Sequence, residues 1–189
     1  MATTARWICH LAAFSLAALV LCACGFTGNM RHDPGFASFQ SPSLIPGADR
    51  EFALSLGPVP IRLATMISRP LLHDEPWIPD VLRTIRAVRV YTYHIGDDDT
   101  ETRHHLEDTR TELLEDGWEP IVVMREDGGF ASAFVMQPDP STVRGLVVMV
   151  LDDEELVLVN VMGKMTPKAL GTIIEELDLD LPRMDVEIV

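Results

Sequence analysis

Apolar and polar positions alternate most regularly between Trp118 and Met165. Four apolar runs, Ile121–Arg125, Phe130–Met136, Gly145–Leu151 and Leu156–Met162, are divided by the polar breaks Glu126–Gly129, Gln137–Thr142 and Asp152–Glu155. Runs of this length, rich in valine and interrupted by Gly, Pro and Asp, predict strands joined by hairpins. The connections are too short for crossover helices, so neighbouring strands are antiparallel. In the last two runs both faces are apolar. Leu146, Val148 and Val150 oppose Val147, Met149 and Leu151, and Leu156 and Leu158 oppose Val157, Val159 and Val161. Strands of that kind are covered on both sides. These two runs are therefore expected to be the most buried, with Asp152–Glu155 as their exposed hairpin tip.

Upstream, Glu51–Leu56 alternates as a short strand and Gly57-Pro58 ends it. Val59–Ile67 predicts one or two helical turns and Arg69–Asp74 a loop. Pro76 or Pro79 opens a helix with Trp77, Val81, Leu82 and Ile85 on one face. Ala87–Ile95 is a strand of branched and aromatic residues, stopped by Gly96 and Asp97–Asp99. Thr100–Glu115 repeats Leu106, Thr109, Arg110, Leu113 and Leu114 at helical spacing, with Gly117 as its C-terminal cap. Thr166 caps and Pro167 opens a last helix to Asp178, and Leu179–Val189 is a loose end or a last short strand. The sum is one α+β domain over residues 51–189. An antiparallel sheet, a C-terminal four-strand meander plus one or two N-terminal strands, packs with three or four helices.

The N-terminus carries a different signal. Arg6 and the amino terminus precede an apolar stretch, Trp7–Val20, too short for a comfortable membrane span and shaped like a signal peptide. Leu21-Cys22-Ala23-Cys24 follows and resembles the lipobox of bacterial lipoproteins. That resemblance implies a signal peptide over residues 1–23, cleavage before Cys24 and a diacylated Cys24 that anchors the chain to a membrane. An ordinary signal peptide or a short anchor is the competing reading. Cys22 departs slightly from the pattern, which usually has Ala, Ser or Thr there. Gly25, rather than Asp, resembles the outer-membrane sorting pattern of diderm bacteria, so the implied place is the cell envelope, facing the periplasm. The cysteines are Cys9, Cys22 and Cys24. Cleavage and acylation would leave no thiol for a disulfide, a metal or nucleophilic catalysis. Residues 24–50 then read as the lipidated cysteine and a flexible tether, since Gly25–Arg50 is rich in Gly and Pro and has no period. Phe26, Phe36 and Phe39 in it either dock on the domain or on lipid, or are incidental.

The formal charge of −14 argues against nucleic acid, or an anionic membrane surface, as a direct partner. Candidate chemistry is sparse. His94, Asp97, Asp98, Asp99, His104 and His105 are types that suit zinc or a similar ion. Their spacing matches no known motif, and a solvated loop with a helix start is the preferred reading, so His94, Asp97, Asp99 and His104 are weak metal candidates only. Ser132 lies inside a strand and Ser141 in a turn, with no Gly-x-Ser-x-Gly. No cofactor is expected. Tyr91, Tyr93, Trp118 and Asn160 are the candidates for a binding surface. Trp118, between a helix cap and a strand, is more often core. Asn160, inside an apolar strand, needs a hydrogen-bond partner and either pins a turn or lines a pocket, the former being preferred.

Five features occur in order: Arg86-Ala-Val-Arg-Val-Tyr, Arg110-x-x-Leu followed by Gly117-Trp-Glu-Pro, Arg125-Glu-Asp-Gly, Arg144-Gly-Leu and Val159-Asn-Val-x-Gly. Their order and spacing, over Glu51–Asp178, resemble the domain of unknown function 4252 family of bacterial envelope lipoproteins. The resemblance implies an envelope lipoprotein and assigns no activity and no catalytic residue. Three classes of function stay open. The expected one is a non-catalytic structural or partner-binding module that meets an envelope protein through the Glu51–Leu56 edge or the face of Tyr91, Tyr93 and Trp118. The second is a small-ligand carrier or enzyme with a pocket between sheet and helices. The third is an accessory of an envelope stress or signalling system.

Overall fold

In the computed structural model, which describes residues 30–39, 45, 47–71, 77–96, 99–126, 129–152 and 154–176, the alternating runs lie side by side in one sheet. The expected leader 1–23, Cys24, Phe26, Asp97, Asp98 and the tail Leu179–Val189 lie outside the described residues. The strands are β1 (Ala48–Leu56), β2 (Ile85–Ile95), β3 (Glu119–Glu126), β4 (Gly129–Met136), β5 (Val143–Leu151) and β6 (Glu155–Met165). The helices are α1 (Pro58–Leu71), α2 (Trp77–Thr84), α3 (Thr100–Glu115) and α4 (Pro167–Glu176). The sheet order is β1-β2-β6-β5-β4-β3 and every neighbouring pair is antiparallel. The α+β class and the C-terminal meander are therefore as expected, and two N-terminal strands extend the meander beyond β6.

Local chemistry fixes the helix ends. Gly117 takes φ 85°, its N–H donates to Leu114 O at 3.1 Å and the Trp118 N–H donates to Leu113 O at 2.9 Å. This pair of hydrogen bonds after α3 satisfies two of its last carbonyls and aims Trp118 back at the core. Thr166 accepts the Ala169 N–H on its hydroxyl at 3.1 Å, and Pro167 opens α4 where a missing N–H costs nothing. Two expected boundaries move. Helix α1 continues through Arg69-Pro70, expected as loop, because a proline in the last turn removes one bond with little helix left to break. Ile85 begins β2 and is not part of the α2 face.

The inner face of the sheet holds the main core. Tyr91, Tyr93 and Ile95 of β2, Leu156 and Leu158 of β6, Val147, Met149 and Leu151 of β5 and Phe130 and Phe134 of β4 pack there. Leu106 and Leu113 of α3 cover them together with Trp118. The outer face is only partly covered. Leu170 of α4 packs on the corner made by Val135, Val143, Leu146 and Met165, whereas Val88, Val90, Val157 and Val159 are half-buried and Val150 is exposed. Six strands span roughly 24 Å and one helix shields about 10 Å of that, so α4 by itself cannot close this face. The expectation of cover on both sides holds for the inner face and only in part for the outer.

The largest departure concerns the expected tether. Residues 30–39 lie on the inner face. Met30 packs with Ala87 and Met162, and half-buried Phe36 packs against that group. Ala37, Phe39 and Ile45 belong to the main core, and β1 starts at Ala48, ahead of the expected Glu51. A glycine pair permits the approach. A Cβ on Gly35 would stand 2.0 Å from the Arg144 carbonyl oxygen, and one on Gly145 would stand 2.7 Å from Gly35 Cα. Glycine in a segment that reads as a linker serves here as a point of backbone contact.

The two faces make different demands, which a pair of substitutions separates. Val147 is fully buried and Val150 is 37% exposed. Val147→Asp should cost several kcal/mol, comparable with the whole stability of a domain. Val150→Asp should cost less than about 1 kcal/mol. Urea unfolding monitored by tryptophan fluorescence measures both, and equal midpoints would contradict the assignment of faces.

Candidate functional site

Buried polar side chains on β2 and β6 form a clamp around the N-terminal segment. Asn160 is fully buried at the middle of the sheet. Its Oδ1 accepts the Ala37 N–H at 3.2 Å, and its Nδ2 donates to Gly35 O at 3.0 Å and to Leu146 O at 3.2 Å. Three bonds use most of what one amide offers. Arg89, facing Asn160 across the β2–β6 pair, donates from Nη1 to Ala37 O at 3.0 Å and from Nε and Nη2 to the Tyr91 hydroxyl at 3.1 and 2.8 Å. Its guanidinium lies over the rings of Phe36, Tyr91 and Phe39 at 4.5, 5.3 and 5.7 Å. The ring faces and the hydrogen bonds offset the burial of the charge. Chemically the clamp is occupied by the chain's own backbone. It holds a segment in place and presents no open acid, base or nucleophile.

The four candidates for a binding surface are core residues. Tyr91, Tyr93, Trp118 and Asn160 are 7%, 1%, 3% and 0% exposed. Alternation put Tyr91 and Tyr93 on one face of β2, but only the tertiary fold makes that face the inner one. Asn160 pins the crossing segment 35–37 to the sheet, and no turn of its own strand. Burial first, then the neighbouring Tyr91, pushes the Tyr93 phenol up from an ordinary 10.0 to about 12, while Arg50 and Arg89 pull it down.

The weak metal candidates are scattered. His94 is exposed and sits opposite Glu155 on the face of β2 away from the tyrosines. Asp99 is paired with Arg103 at 2.5 Å, and His104, on the exposed side of α3, lies 3.9 Å from Asp108. Among the described residues no three His, Cys, Asp or Glu side chains gather as a metal site would require. The Ser141 hydroxyl donates to Asp139 at 2.6 Å. That bond and the Ser141 N–H hold the Asp139 carboxyl below its ordinary range. Ser132 is buried in the core, its hydroxyl without a hydrogen-bond partner among the described residues.

An open cavity of ≈ 590 Å³ lies where α1, α2 and the start of β2 meet. Ile61, Met66 and Ile85 line it together with Arg62, Arg83 and Arg86. Arg86 reaches Asp33 of the N-terminal segment at 2.9 Å, and Arg83 reaches Asp80 at 3.2 Å. Beside the cavity, Val59, Leu63 and Met66 form an i, i+4, i+7 stripe along α1 that is 66%, 39% and 73% exposed. Sequence reasoning missed this place. Its arginines come from a helix, a second helix and a strand, and no local spacing joins them.

The family model for a domain of unknown function (DUF4252) matches residues 49–173. No curated protein and no solved structure matches the chain.

Two outcomes test the clamp. Asn160→Leu strands the Ala37 N–H and the Gly35 and Leu146 carbonyls, so it should cost about 3 kcal/mol or more. Amide exchange at Ala37 should rise well before the meander opens; unchanged protection there would contradict the clamp. For Tyr93, a raised folded pKa means that the fold favours the neutral phenol. That contribution is whole below pH 10 and is lost as pH rises toward about 12. Stability measured across this window should fall less steeply in Tyr93→Phe than in the parent chain.

Proposed function

The chain belongs to the DUF4252 family of domains of unknown function, and from that premise we propose that it is a lipid-anchored protein of the bacterial envelope whose domain is a non-catalytic binding or structural module. The observation that carries this reading is the treatment of the segment that follows Leu21-Cys22-Ala23-Cys24. Met30 is buried, and Gly35 and Ala37 are hydrogen-bonded to Asn160. Lipid on Cys24 would thus hold the folded domain itself close to a bilayer. From Cys24 to Met30 the chain reaches at most about 20 Å, which is shorter than a tether running to Arg50. Gly25 directs the reading to the outer membrane in a diderm host. A membrane-held domain meets membrane-held partners at high effective concentration, so weak intrinsic affinity suffices. The edge strand β1, with Phe52 half exposed, is a surface such a partner can extend. The non-catalytic character is supported by exposed His94 and His104 on separate elements and by a Ser141 hydroxyl bound to Asp139.

A second reading, a carrier of a small ligand, is favoured by one observation, the cavity between α1 and α2.

Intact-mass analysis of the membrane fraction tests the anchor. The mature chain should begin at Cys24 and carry diacylglycerol on it. Cys24→Ser should leave the protein unprocessed or release it from the membrane. A mature chain with another start and an unmodified Cys24 would overturn the reading, and fractionation of inner and outer membranes tests the sorting separately.

A further inference from the structure

Charge on this protein is uneven along the chain. The formal total is −14, yet the sequence between Pro58 and Ala87 has four arginines (Arg62, Arg69, Arg83 and Arg86) to three acids (Asp74, Glu75 and Asp80). Three of those arginines line one cavity together with apolar side chains. Arg62 has no ion pair among the described residues, and Arg86 is still half exposed while holding Asp33. The acidic pole is elsewhere. Asp152, Glu154 and Glu155 lie where β6 begins, and the cavity lies by Ile85, which pairs with Gly163 near the end of β6. Eleven residues of strand put roughly 30 Å between the two ends.

We infer that the cavity between α1 and α2, with the outer stripe of α1, is a binding surface for anionic phospholipid in a bilayer. Arg62, Arg83 and Arg86 take lipid phosphates, and Val59, Leu63 and Met66 enter the interfacial layer. The inference rests on the anchored reading for its proximity. Guanidinium groups present a planar fork that suits phosphate oxygens. An apolar helical stripe flanked by arginines has the composition of a helix that lies in the membrane interface. The place also fits the path of the chain. Met30 packs on Ala87 and Met162, and Asp33 bonds Arg86, so the described segment begins, six residues after Cys24, beside this cavity. An anchor there brings this end of the sheet to the lipid and turns the acidic tip toward water. Net charge does not forbid the contact. At physiological salt the screening length is about 8 Å, so the tip acids roughly 30 Å away are felt little by lipid at the arginines. Asp80 and Asp33, close by, are each held by one of them, Arg83 and Arg86, and Arg62 is left to lead the contact.

The test uses the full chain with a benzoylphenylalanine crosslinker at Met66, or at exposed Glu154 as a control. The protein is reconstituted from membranes into phosphatidylcholine vesicles with or without phosphatidylglycerol, and adducts are identified by mass. Met66 should yield phospholipid adducts enriched in phosphatidylglycerol beyond its mole fraction, and Glu154 should yield none. Each arginine removed should lower that enrichment about fivefold, in Arg62→Gln and then in Arg62→Gln/Arg83→Gln. Arg62→Gln leaves every described ion pair in place, and unchanged unfolding midpoints confirm that the variants fold. Adducts to a second copy of the chain, equal adducts at Met66 and Glu154, or enrichment unchanged in the double variant would each overturn the inference. Intact mass of the same samples reads Cys24 separately. Lipid on Cys24 without lipid adducts at Met66 overturns the surface and leaves the anchor standing. Phosphatidylglycerol-enriched adducts on a chain with bare Cys24 sustain the surface and overturn the anchor.

Discussion

A single buried amide ties this structure together. Asn160 sits in the most apolar strand of the chain, where an unmet donor or acceptor costs about 1–3 kcal/mol. Its partners come from two distant stretches of sequence: Gly35 and Ala37 of the N-terminal segment and Leu146 of β5. Meeting that demand requires residues 35–37 to cross the sheet at one height. The crossing requires Gly35 and Gly145 to have no side chains, because a Cβ on either would overlap the opposing backbone. The place of residues 30–39 against the inner core follows from this contact.

Arg89 adds the second half of the same constraint. A buried guanidinium without a carboxylate among its described partners is costly unless its donors and its charge are both accommodated. Ala37 O and the Tyr91 hydroxyl take the donors, and three aromatic faces take the charge. Phe36 and Phe39 belong to the N-terminal segment, so the segment is needed by the arginine as much as the arginine by the segment. This mutual need gives residues 30–39, which hold only a short 3-10 turn at Met30–His32, the character of a structural element.

The partly covered outer face and the cavity between α1 and α2 have a different cause. Helices α1 and α2 connect two adjacent antiparallel strands, β1 and β2, and so sit where those strands meet. Their apolar residues outnumber what that position can bury, which leaves Val59, Leu63 and Met66 in solvent. Apolar and basic surface retained on connecting elements is, in general, the kind of surface on which contacts with other molecules are built. The inner core, by contrast, is consumed in holding itself together.

Strand and helix identities were largely legible from the chain because they depend on neighbours in sequence. Alternation in Phe130–Met136 and Leu156–Met162, the Gly117 cap and the Thr166-Pro167 start each carry their own local physics, and each stands as expected. The expected leader and the lipobox-like Cys24 rest on the sequence alone and lie outside the described residues. What alternation cannot say is which face of a strand becomes the inside. Tyr91, Tyr93 and Trp118 therefore looked available for binding, and they are core. Nor can composition distinguish a glycine that loosens a linker from one that lets two backbones touch. Gly35 and Gly145, more than a hundred residues apart, acquire their meaning only in each other's presence. The same holds for Arg62, Arg83 and Arg86, which become one charged site because α1, α2 and β2 converge, a consequence of strand order that no local period encodes.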